Sequence, residues 1–177
     1  MIKLNKILAL TAVSVFAVGV GYSSQSNAAP GPSPLTANAS AEILAQITLE
    51  EMRLLDFGKI SPNGTASTVV IDGDSTGARS SANAAILVTS DPGQSGQIEI
   101  KGANNASITI TVSSASGILA NPSSDTMAIG SFTHSAGATP ALNASGELML
   151  YTGATLSVGA TQPAGVYTGT YTVTAVY

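Results

Sequence analysis

Cysteine is absent from all 177 residues, and so is tryptophan. Without thiols there are no disulfides, no thiolate metal sites, no thiol nucleophile and no thiol redox chemistry. Histidine occurs once, as His134, and Lys and Arg together occur six times. Two of those six, Lys3 and Lys6, precede the first apolar run, which leaves Arg53, Lys59, Arg79 and Lys101 for the rest of the chain. Nucleic-acid binding needs clustered Lys and Arg, so nucleic acid is excluded as a partner. Charged residues are only 9% of the total. The surface must therefore stay in water through Ser, Thr and Asn side chains, as in many extracellular proteins and unlike a typical cytosolic enzyme.

Long apolar runs are also missing. The one candidate, Ile7–Val20, follows Lys3 and Lys6 and is shorter than the roughly 20 residues a membrane-spanning helix needs. A polar stretch ending in Ser26-Asn27-Ala28 comes after it. This layout predicts a secretory signal helix over residues 1–28, cleaved after Ala28. No cysteine follows the apolar run, which excludes a lipid-modified mature N-terminus. Cleavage leaves 149 of the 177 residues, enough for one domain with a core of its own, and takes the formal charge from −4 to −6 by removing the two lysines. Export through the periplasm to the cell surface or exterior is the expected route.

The mature chain opens on APGPSPLTANAS, residues 29–40, with three prolines in its first six positions, a flexible extended arm. The domain is expected over residues 41–177. From Ala41 to Leu49 the Ala, Glu, Leu and Gln content would suit a helix, but the residues alternate, with Ala41, Ile43, Ala45, Ile47 and Leu49 on one side, which argues for a strand. Further strands are expected in LLDFGKI (54–60), STVVI (67–71), AAILVTS (84–90), Thr126–Thr133, Glu147–Tyr151, Thr155–Val158 and Val166–Tyr177. QIEIKG, the turn GANN (102–105) and ASITITV (106–112) together predict a hairpin. Asp72–Ser80 reads as a polar loop. Short strands with Gly, Pro, Asn or Ser between them, and no mature helix, predict an all-β antiparallel sandwich or barrel.

No residue set supports an enzyme, a cofactor, a metal or a small-molecule substrate. His134 lacks a positioned nucleophile, since no G-x-S-x-G turn occurs. It reads as a surface residue beside a turn. Asp56-Phe57-Gly58 matches a kinase tripeptide without that family's other elements. In Asp72–Gly77 the carboxylates are spaced as in a calcium loop, but Asn83 stands where the bidentate Glu belongs. Glu50 and Glu51 are sequence neighbours and point to opposite faces of a strand, which does not suit acid–base catalysis.

The last residues carry the most pattern. In GVYTGTYTVTAVY, Tyr167, Gly169, Tyr171, Val173, Ala175 and Tyr177 share one face of a strand that runs to the final aromatic residue. AGVYTGTYTVTAVY, with LLDFG upstream, resembles the archaic chaperone–usher pilins and a related family of secreted bacterial pilin-like proteins. Many archaic pilins carry a disulfide near the N-terminus, and this chain departs from them there.

The resemblance implies an immunoglobulin-like, Greek-key β-sandwich that lacks one strand and is completed by a neighbour's N-terminal segment, so that subunits join head-to-tail by donor-strand exchange. It further implies Ala41, Ile43, Ala45 and Ile47 as the donor strand. The acceptor edge would be Gly165, Tyr167, Tyr171, Val173 and Tyr177. Implied partners are copies of the chain or related subunits, a periplasmic chaperone and an outer-membrane usher. Two other readings stay open at this level. One is a self-contained monomeric sandwich that acts as an adhesin or glycan-binding module, with Ala41–Leu49 as its own first strand. The other is a small outer-membrane barrel, for which the aromatic girdles are missing.

Overall fold

A computed structural model describes residues 31–82, 86–114 and 116–177. The signal segment expected over residues 1–28 lies outside them. The chain divides into two units, Met1–Ala41 and Glu42–Tyr177. In the first unit, the described residues 31–41 are exposed and form no regular element.

The second unit is all-β. Among its described residues there are eleven strands and no helix: β1 (Thr48–Arg53), β2 (Ile60–Ser61), β3 (Ser67–Ile71), β4 (Arg79–Ser81), β5 (Ile86–Leu87), β6 (Gly96–Lys101), β7 (Thr109–Ser113), β8 (Ile118–Ala120), β9 (Thr126–His134), β10 (Glu147–Val158) and β11 (Thr172–Val176). The largest sheet has the order β1-β6-β10-β3-β4, with β9 also on β10 and β8 on β9. β11 pairs with β7, and β2 with β5, as two separate ribbons. Every pairing is antiparallel. Among the described residues the large sheet is open, with β1, β4 and β8 as its terminal strands, rather than closed into a barrel.

Alternation explains the strands that hold the core. In β10, Leu150, Thr152, Ala154, Leu156 and Val158 are buried at every second position. β3 does the same with Ser67, Val69 and Ile71, and β6 with Gly96, Ile98 and Ile100. Two apolar clusters result. One gathers Phe57, Val69, Ile71, Ile129, Leu156 and Val158. The other gathers Ile98, Ile100, Ile108, Leu142 and Leu150 under Ile110, Tyr171, Val173 and Ala175 of the β7–β11 region. This face-to-face burial is consistent with a β-sandwich. Each fully buried Ile or Leu contributes about 1.5–3 kcal/mol. The exposed Lys59–Asp91 pair, at 3.8 Å, contributes under about 1 kcal/mol. Apolar alternation, not charge, holds the domain together.

Several elements differ from expectation. QIEIK and ITITV do not form a hairpin: β6 lies between β1 and β10, whereas β7 pairs with β11. Their apolar faces meet across the core through Ile98, Ile100, Ile108 and Ile110. The turn between them is held instead by the Gly102 N–H, which donates to the Gly146 carbonyl at 2.9 Å. The first strand begins at Thr48 rather than Ala41. The two strands expected at Glu147–Tyr151 and Thr155–Val158 are one. β4 occupies the end of the expected polar loop, and β8 had no sequence signal of its own.

LLDFG serves the fold. Phe57 is in the core, and Asp56 exchanges backbone hydrogen bonds with Gln94. Arg79 donates to the carbonyls of Phe57, Lys59 and Val88 at 2.8, 3.1 and 2.7 Å, which ties this element to the β5 end.

Candidate functional site

β1 and β11 each have one neighbour, β6 and β7 respectively, so among the described residues each has one edge with no strand beside it. The two strands border one open groove of about 220 Å3, lined by Leu49, Glu51, Ile98, Tyr171 and Val173. The pairing register explains the lining. Leu49 stands opposite Ile100, and Glu51 opposite Ile98, so both β1 side chains share the core-facing side of the sheet. Leu49 is 39% exposed and Ile98, at the floor, 6%. A bulge follows between Glu51 and Arg53. It turns Arg53 to donate to the Ser95 carbonyl and to Ser95 Oγ, both at 3.0 Å.

Tyr171 lines the groove. Its ring stacks on Phe132, with centroids 5.6 Å apart, and its hydroxyl is hydrogen-bonded to the fully buried Thr152 at 2.9 Å. Burial pushes the Tyr171 phenol above its ordinary 10.0; the Thr152 bond opposes this and the Glu51 charge adds to it. A phenol raised in the folded state gives stability that is whole below pH 10.0 and is lost as pH rises beyond it. Tyr171→Phe should therefore flatten the alkaline fall of stability, measured by urea melts on both sides of pH 10. At neutral pH it should cost about 1 kcal/mol through the lost Thr152 bond. An unchanged alkaline slope would refute the assignment.

The Tyr177 hydroxyl donates to the Ala45 carbonyl at 2.6 Å and accepts from the Ala103 N–H at 2.7 Å. This clasp pins the chain just ahead of β1.

The residues expected to form an acceptor edge are thus divided. Tyr171 and Val173 line the groove, while Tyr177 is bonded to the Ala45 carbonyl outside its lining. Gly165 and Tyr167 lie elsewhere. Gly165 rests against the Asn121 side chain. The Tyr167 hydroxyl donates to the Pro163 carbonyl and accepts from Gln162, both at 2.8 Å. The expected strand from Val166 is broken because Thr168 pairs with Ala120 of β8 through two backbone bonds. Gly169 permits this close approach, since a Cβ there would sit 2.6 Å from the Ile118 carbonyl oxygen.

Of the expected donor residues, Ala41, Ile43 and Ala45 are exposed and outside any strand, Ile43 at 95%. Ile47 packs against its own domain's core. Glu51 was missed as a groove residue. The signal was there, because the Ala41–Leu49 alternation continued by two residues reaches it.

A second groove, about 390 Å3, lies between β7 and β9, lined by Ile108, Ile110, His134, Ala136 and Pro140 among others. His134 is half-buried rather than at the surface, and its Nδ1 is enclosed without a hydrogen-bond partner. In the DGDSTG loop, Asp74 Oδ1 accepts from the Thr76 N–H, the Thr76 hydroxyl and the Gly77 N–H at 2.6–2.9 Å, which holds its carboxyl below the ordinary 3.8. These bonds make a turn. No group of three His, Asp or Glu side chains placed to hold a metal occurs among the described residues.

Residues 47–177 match the model of a family described as Domain of unknown function (DUF4402). The match covers most of the chain and nearly all of the second unit, and the chain belongs to this family. No curated protein and no solved structure matches it.

Proposed function

We propose that this member of the family is an exported structural subunit of a cell-surface fimbria or filament. In this reading its domain is a pilin-like, immunoglobulin-like Greek-key sandwich with one strand missing. A neighbour's extended segment adds to the β11 edge, and subunits so joined form an open, head-to-tail fibre. A periplasmic chaperone covers the groove before assembly and an outer-membrane usher exchanges it for the donor.

The observation that carries the reading is the groove itself. Two strands from different sheets border it, each with an edge unpaired among the described residues, around the apolar side chains of Ile98 and Val173. An unpaired apolar edge is normally blunted or covered, and here an open groove accompanies it. On the donor side, Ile43 is an aliphatic side chain with no role in its own domain, and burial elsewhere would gain about 1.5–3 kcal/mol.

The test is hydrogen exchange and thermal melting of the full mature chain with extended alternating peptides, among them its own residues 37–49. Strand addition should slow exchange of the groove-facing β11 amides and raise the melting temperature by several degrees. If no peptide changes either, the groove is not a strand acceptor and the reading fails.

A further inference from the structure

We infer that the strand received by the β1–β11 groove carries a Lys or Arg placed over Glu51, and so belongs to a polypeptide other than this one. The inference rests on the strand-acceptor reading and specifies the chemistry of the donor.

Glu51 is the one ionisable carboxylate that the register turns toward the groove, between Leu49 and the floor residue Ile98. No cation among the described residues pairs with it. Downstream of the signal segment there are four cations. Arg53 is turned to Ser95, Lys59 to Asp91, Lys101 to Glu99 on the opposite face of β6, and Arg79 to three carbonyls. Glu51 is exposed, so water reaches its charge. A strand laid over the groove removes that solvent, and a carboxylate desolvated without a partner costs several kcal/mol. An occupant with an inward cation turns the cost into a charge-assisted hydrogen bond.

The chain's own arm does not meet the requirement. Residues 29–47 contain no Lys, Arg or His, and their one charge is Glu42. With Ala41, Ile43, Ala45 and Ile47 facing inward, a second copy would lay aliphatic groups over Glu51. An inward charge on an edge strand discourages unwanted pairing. Here it would exclude copies of the chain itself while admitting a basic strand, specificity through repulsion as well as attraction.

The experiment titrates the full mature chain with alternating Thr/Ile peptides in which one inward position is Lys, Ile or Glu, and with the arm peptide of residues 37–49. The Lys peptide should bind about 10-fold or more tightly than the Ile peptide, and the Glu peptide least. Glu51→Gln should reduce the Lys preference to within about twofold, and Glu51→Lys should invert it in favour of the Glu peptide. Because Glu51 is exposed, both variants should melt like the wild type. Equal affinities for the Lys and Ile peptides, or tightest binding by the arm peptide, overturn the inference and leave strand addition standing. Binding by no peptide at all overturns both.

Discussion

Leu49→Arg should abolish strand addition to the groove while leaving the fold intact. Leu49 is an edge-strand residue, 39% exposed, and it contributes to neither core cluster. Its replacement should cost the domain less than about 1 kcal/mol. The effect on the groove is different in kind. Leu49 and Glu51 are two apart on β1 and share a face, so an Arg at 49 places a guanidinium beside the carboxylate. The variant loses an apolar wall and neutralises the charge that selects the occupant. Peptide affinity should fall by about 100-fold or more, as for the loss of a central anchor in a desolvated interface. Leu49→Met, which keeps volume and apolarity, should bind within a few-fold of wild type. Matched melting curves and peptide titrations of the three proteins check this. Unchanged affinity in Leu49→Arg would show that peptides bind somewhere other than this groove.

The pattern legible in the sequence was mostly the direction in which side chains point. STVVI, GQIEIK and the final TVTAV alternate; the first two bury the face their alternation marks, and the last half-buries it. Strand partners were less legible. QIEIK and ITITV are joined by a short Gly-Asn turn and look like a hairpin, yet they occupy different sheets. Period-2 alternation defines a face and says nothing about which strand lies beside it. Backbone pairs between distant residues were not legible either. Thr168 and Ala120 are joined by two main-chain bonds that no side-chain pattern announces, and that pair removes Gly165 and Tyr167 from the edge expected to hold them. Tyr171 and Val173 were placed correctly on one face because nothing interrupts the alternation between them. Glu51 shows the opposite limit. Its face was determined by the same alternation, but a charged residue at the end of an apolar series reads as the series stopping.

Gly153→Ala should be among the most destabilising single substitutions in the domain. β10 pairs with β6 from Glu147 to Thr152 and with β3 from Ala154 to Val158, so its partner on that edge changes at Gly153. The opposite edge carries β9, and its register shifts between Gly153 and Thr155. Three neighbouring strands therefore converge on one residue. A Cβ at Gly153 would collide with the Ile71 carbonyl oxygen and the Gly73 nitrogen, and would lie 2.7 Å from the Asp72 carbonyl carbon. All three are backbone atoms, which cannot swing aside as a side-chain tip can. Gly73 is itself pressed against Thr133, where its own Cβ would lie 2.7 Å from Oγ1, so the obstruction has no room to retreat. Relief would require β3 to separate from β10, exposing Ile71 and Leu156, which are now fully buried. The expected loss is about 3 kcal/mol or more, a fall of roughly 10 °C in melting temperature. Gly130→Ala is the control. It lies opposite Thr155 on β9, and a Cβ there meets nothing within 4 Å. A Gly153→Ala protein that melts like the Gly130→Ala protein would show that β10 does not change partners at this point, and that the two halves of the core are joined elsewhere.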